Sequence, residues 1–153
     1  MRFRDFLKLE GIKIHLKAID KKEVIEKLVD TLVETYHLNN RQEVLTSVLE
    51  REALMSTGVG KGVAIPHGKV DSVQEVIGSM VILDSGVDFE APDGAPVEMA
   101  ILLVASAKET GPHIRALAHI SRVLQDEKVR QGLVSSLQPK EVFEILERKE
   151  KEL

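Results

Sequence analysis

The chain has 153 residues, 43% of them hydrophobic, enough for one compact domain over residues 1–153 and too few for two ordinary ones. Its 21 basic and 25 acidic residues give a net charge of −4 with the signs mixed along the chain, so there is no basic stripe for nucleic acid or an anionic membrane. There is no cysteine, which excludes disulfides, thiolate metal sites and cysteine nucleophiles; with neither an apolar leader nor a membrane-length apolar run, a cytoplasmic location is expected.

Taken in order, the pattern is mixed α/β. Ile12, Ile14 and Leu16 alternate with Lys13, His15 and Lys17, as in a half-buried strand. Asp20 followed by Glu23 predicts a helix cap, and Val24, Ile25, Leu28, Val29, Leu32 and Val33 recur at helical spacing until the Asn39-Asn40 pair. Asn40 with Glu43 predicts the next cap, and Val44, Leu45, Val48 and Leu49 the buried stripe of a second helix that ends near Arg51. Val76–Leu83 and Val97–Ala105 are apolar, β-branched runs bounded by turn residues, and read as central strands. Pro112 then opens a helix through Leu124, with Ile114, Leu117, Ala118 and Ser121 expected toward the core. Two more amphipathic helices follow, one around Val129–Leu137 and one after Pro139 carrying Val142, Phe143, Ile145 and Leu146. Strands alternating with helices predict an α/β fold, one mixed sheet of about five strands with helices on both faces.

The chemistry centres on Ser56–Lys69, STGVGKGVAIPHGK. A Walker loop would need a glycine where Val63 stands and a Ser or Thr after the lysine; the dinucleotide fingerprint fails at the same valine. Both are excluded. What remains is Gly58, Gly60 and Gly62, which allow positive φ and close approach of backbone N–H groups to an anion, then Pro66 fixing the backbone beside His67. The plain alternative is a tight connection before a strand, with His67 a polar strand-end residue.

The wider constellation decides between them. Arg51-Glu52, Ser56-Thr57-Gly58, GVAIPH ending at His67, DGAPVE at Asp93–Glu98 and the HIRALA helix beginning at His113 resemble the enzyme IIA domain of the fructose/mannitol class of the bacterial phosphotransferase system, including its nitrogen-regulatory relatives. The resemblance runs from Ile12 to the last helix. It implies a phosphotransferase component in which His67 accepts a phosphoryl group from phospho-HPr and hands it to an enzyme IIB domain. A neutral imidazole attacks through one nitrogen while the other keeps its proton, so its orientation matters. Arg51 is then the expected guanidinium for the phosphoryl oxygens, with Ser56, Thr57, Gly58, Gly60 and Gly62 as the phosphate-binding stretch and His113 in support. One departure from the family pattern stands beside His113: Ala105 replaces the usual proline after Leu102-Leu103-Val104.

Each assignment has a structural alternative. Apart from the resemblance Arg51 reads rather as a helix-end cation, and Lys61, a minor candidate that adds positive charge near the phosphate, as a solvated lysine. His113 shares a face with Leu117 and Ile120 and points inward, whereas His119 shares one with Arg115 and Arg122 and is expected in solvent; His15 and His37 read as structural or exposed. No H-E-x-x-H or similar spacing occurs, so neither metal nor cofactor is expected. Three functions remain open: a sugar-uptake phosphocarrier, whose membrane link is indirect through an enzyme IIC transporter; a regulatory switch binding a protein partner; and a sensor of a phosphorylated metabolite. Neither a IIB nor a IIC segment is fused to these residues, which keeps the switch open.

Overall fold

The computed structural model describes every residue from Met1 to Leu153. A single 3-10 turn at Phe3–Asp5 leads into β1 (Leu7–Leu16), α1 (Lys21–Tyr36) and α2 (Arg41–Leu54). Then come β2 (Gly58–Gly60), β3 (Val63–Ala64), β4 (His67–Val70), β5 (Ile77–Val87) and β6 (Val97–Ser106). The chain closes with α3 (Gly111–Leu124), α4 (Glu127–Val134) and α5 (Pro139–Lys151).

The sheet runs β1-β5-β6-β3-β2, and β4 also pairs with β6. It is mixed: β1 is parallel to β5, and β3 and β4 to β6, while β5 with β6 and β2 with β3 are antiparallel. Val63 lies opposite Met99, Ala64 opposite Ala100 and His67 opposite Leu103, a constant offset, so β3 and β4 are two halves of one lane interrupted at Ile65-Pro66. Proline has no N–H to give the ladder, but its carbonyl still accepts from Leu103 N–H at 3.0 Å. Six segments therefore fill the five expected lanes.

Strand β6 is central and buried on both faces, which is why it reads as an unbroken apolar run. Met99, Ile101, Leu103 and Ala105 join the core under α3, α4 and α5, while Ala100, Leu102 and Val104 join the one under α1 and α2. The same alternation fixes the site. Val63 and Ile65 lie on the α3 side, so two residues further His67 emerges on that side too. Gly68 faces α2, where a Cβ would come within 2.8 Å of Ser47 Oγ and 3.1 Å of Val48 N. That close seat brings the end of α2, with Arg51, against the start of β4. Ser47 Oγ accepts the Lys69 N–H and donates to the Lys69 carbonyl, each at 2.9 Å.

Several local expectations shift. β1 begins at Leu7, ahead of the alternating stretch. The first helix stops at Tyr36, before Asn39-Asn40, because His37 turns left-handed (φ 55°) and Leu38 N–H bonds the Val33 carbonyl. Asp20 caps α1 through Glu23 N–H as expected, but Asn40 makes no cap bond and binds Glu43 and Ser72 by its amide instead. On α3 the buried face is His113, Ala116, Ile120, Val123 and Leu124; Ile114, Ala118 and Ser121 are exposed, and Leu117 half-buried. The buried face is thus the side shared by His113 and Ile120, as expected for His113 itself, and Ile114, Ala118 and Ser121 fall outside it. The next helix covers Glu127–Val134, since Asp126 caps its start and Ser135 closes it, leaving Leu137 exposed.

Candidate functional site

His67 opens β4 directly after Pro66, and its Nδ1 lies 2.8 Å from the Ile65 carbonyl oxygen. A carbonyl only accepts, so Nδ1 carries the hydrogen and Nε2 keeps its lone pair. His113, third residue of α3, faces it: the ring centroids are 5.0 Å apart with 55° between the planes. His113 is 5% exposed, and its Nδ1 is buried without a hydrogen-bond partner. A buried N–H left orphaned is rarer than an under-satisfied acceptor. The hydrogen therefore belongs on His113 Nε2, leaving Nδ1 as the bare acceptor. On this assignment both imidazoles are neutral, His113 with its hydrogen on Nε2 and His67 with its lone pair there.

Both rings resist protonation. Burial lowers the His67 pKa and the charges of Arg51 and Lys69 add to it, against the opposing pull of the Ile65 carbonyl and Glu52. His113 is pushed down to about 4 by burial first, then by His67, Lys69 and Arg51. The unfolded chain binds a proton near 6.5 that folded His113 refuses, so its stability contribution is full above 6.5 and is lost as the pH falls toward 4. From pH 6.5 to 5 this amounts to about 2 kcal/mol. Thermal unfolding of the wild type should therefore weaken on acidification more steeply than that of His113→Gln, and parallel curves for the two would refute the assignment.

Arg51 sits in the last turn of α2, and its Nη1 donates to the Met55 carbonyl at 2.8 Å. It is thus the helix-end cation of the structural alternative, and its field also bears on both histidines. The phosphate-binding stretch is more occupied than expected. Ser56 Oγ donates to the Phe89 carbonyl and accepts the Gly58 N–H. The hydroxyl and N–H of Thr57 are both held by Glu52. Gly60 (φ 93°) and Gly62 (φ 81°) flank Lys61 at the tip of the β2–β3 hairpin, where the Asp93 carboxylate already accepts the Lys61 N–H at 2.8 Å. The Lys61 and Ala95 N–H groups hold the Asp93 carboxyl below its usual pKa. The chain thus supplies its own anion to the tip. Lys61 lines a cavity with Ser121, Leu124 and Gln125 at the far end of α3 from His113.

The remaining histidines separate cleanly. His15 faces Asp84, and His37 closes α1. His119 is not in solvent as expected: its side chain is 16% exposed, its Nε2 meets Glu150, and its ring lies 5.2 Å from that of Phe3. Both chain termini cover it, a contact no helix periodicity encodes. No three His, Asp or Glu side chains converge as metal ligands, and no helix is long and apolar enough to cross a membrane. Lys69, which the sequence reading passed over, follows His67 by two and so shares its face of the edge strand.

The fold and the sequence both match known proteins. Residues 5–149 match the family model described as phosphoenolpyruvate-dependent sugar phosphotransferase system, EIIA 2. The chain belongs to this family. It is 36% identical to a nitrogen regulatory protein of Bradyrhizobium diazoefficiens over 146 residues, 95% of each chain. The fold superposes on the nitrogen regulatory protein IIA-Ntr of Neisseria meningitidis with a TM-score of 0.86 at 31% identity, covering 92% of this chain and 96% of that one. It also matches enzyme IIA mannitol of Escherichia coli, solved in complex with phosphorylated enzyme IIB mannitol, with a TM-score of 0.80 at 27% identity, covering 94% and 99%.

Proposed function

We propose that the chain relays a phosphoryl group through Nε2 of His67, taking it from the phosphohistidine of HPr and passing it to an enzyme IIB domain. The observation that carries this is the tautomer lock: the Ile65 carbonyl holds the proton on Nδ1, so Nε2 presents a lone pair. The Nε2 pair attacks phosphorus, the P–N bond to the donor imidazole breaks, and its electrons return to the donor nitrogen. Arg51 and His113 Nε2–H stabilise the equatorial oxygens, which carry the charge in a loose in-line transition state. The second step runs the same geometry in reverse, with a nucleophile of the IIB domain attacking phosphorus and His67 leaving neutral. The depressed basicity of His67 serves both steps, keeping the ring free to attack and making it a willing leaving group.

A second reading has its own support, since the relatives at 36% and 31% identity are named as nitrogen regulatory proteins. In it the same phosphorylation sets whether the chain binds a regulatory protein partner. The test offers labelled phospho-HPr with and without a IIB domain. Label on His67 that moves on to IIB supports the relay; label that stays on His67 while altering capture of a protein partner supports the switch. Failure to take label from phospho-HPr would overturn both.

A further inference from the structure

We propose that Glu52 is a positioning residue for this transfer, acting through Thr57 and Ile65 on the imidazole of His67; the proposal rests on the phosphoryl-transfer reading of that histidine. Glu52 is 6% exposed at the end of α2. Its carboxylate takes both donors of Thr57, the backbone N–H at 2.8 Å and the hydroxyl, and lies 3.5 Å from Lys21 Nζ. Thr57 in turn accepts the Ile65 N–H on its carbonyl at 3.0 Å. Ile65 accepts the His67 Nδ1–H at 2.8 Å. The chain of bonds from carboxylate to imidazole runs through both backbone groups of Thr57 and of Ile65, so holding the Thr57 N–H fixes the position of each residue in turn up to the ring.

The same carboxylate also steadies Arg51. The Arg51 guanidinium is held by the Met55 carbonyl, two residues before Thr57, so the clamp on Thr57 fixes the loop that anchors it. Glu52 is thus linked through the Thr57 segment to both His67 and Arg51. Where Pro66 interrupts the β3–β4 lane, the sheet alone does not hold the Ile65 carbonyl in aim; the bond from Ile65 N–H to Thr57 does, and Glu52 holds Thr57.

The experiment reads the His67 tautomer by ¹⁵N NMR of the isolated protein, and separately the rate of label uptake from phospho-HPr. In the wild type the Nδ1–H form dominates. Glu52→Gln, with the same outline but no charge and one acceptor fewer, should mix the tautomers and lower kcat about 10-fold or more with little change in KM for the donor. Thr57→Val should do the same, and Thr57→Ser, which keeps the hydroxyl, should restore most of the lost rate. If Glu52→Gln does not fold, the Thr57 pair decides alone. Wild-type tautomer and rate in Glu52→Gln and Thr57→Val, or equal losses in Thr57→Val and Thr57→Ser, would overturn the proposal. A wild-type protein that takes no label defeats the phosphoryl-transfer reading instead, and the donor-free tautomer measurement still shows whether Glu52 orients the ring.

Discussion

His67→Ala should fold and accept no phosphate from phospho-HPr. The side chain is half-buried at the start of an edge strand, and its one internal hydrogen bond is to the Ile65 carbonyl, so its loss should cost only about 1 kcal/mol of stability. The chemical loss is complete, because no second imidazole is equipped to replace it. His113 has its Nδ1 sealed in the core without a partner, which assigns its hydrogen to Nε2. His119 is engaged by Glu150, while His15 and His37 belong to other elements of the fold. Acid-labile, base-stable label in the folded variant would mean that another residue is the acceptor.

Arg51→Gln should slow transfer by about 10²-fold or more, the cost of losing one charge-stabilising donor in a preorganised site. Stability should fall by about 1 kcal/mol, since the bond to the Met55 carbonyl goes too. Arg51→Lys separates the two roles: it restores the positive charge but not the planar fork, so it should recover only part of the rate. An Arg51→Gln protein that transfers at the wild-type rate and merely melts earlier would return Arg51 to a helix-end cation. At high salt the defect should persist, because a transition state enclosed between docked proteins is poorly screened.

The frame of the molecule is legible in the sequence because its signals are local and periodic. Val97–Ala105 reads as a central strand for the reason it is one, apolar side chains on both faces. That His67 starts a strand behind Pro66 is legible from these local backbone signals, whereas its role is implied by the resemblance of the wider constellation, since the glycine spacing alone also fits a plain connection. What periodicity could not supply are contacts made across the fold. His119 is covered by Phe3 and Glu150 from opposite ends of the chain. The glycine stretch shows the same limit: Gly60 and Gly62 take the positive φ that the spacing allows and Gly58 does not, and that the hairpin tip meets Asp93, more than thirty residues away, is decided by the packing.

The serine that bridges both backbone groups of Lys69 has a consequence for life in a crowded cell. An edge strand with free N–H and C=O groups is a template on which strands of other molecules can build. Here that edge lies beside His67, which under the proposed relay has to stay open to a donor and an acceptor protein in turn, so covering it with bulk would defeat the purpose. Ser47 closes it with one oxygen, donating to the carbonyl and accepting from the amide, while α2 stands over Gly68 as a fence. The protein can therefore offer its reactive edge to visitors side chain first while denying them the main chain, and so stay receptive without becoming adhesive.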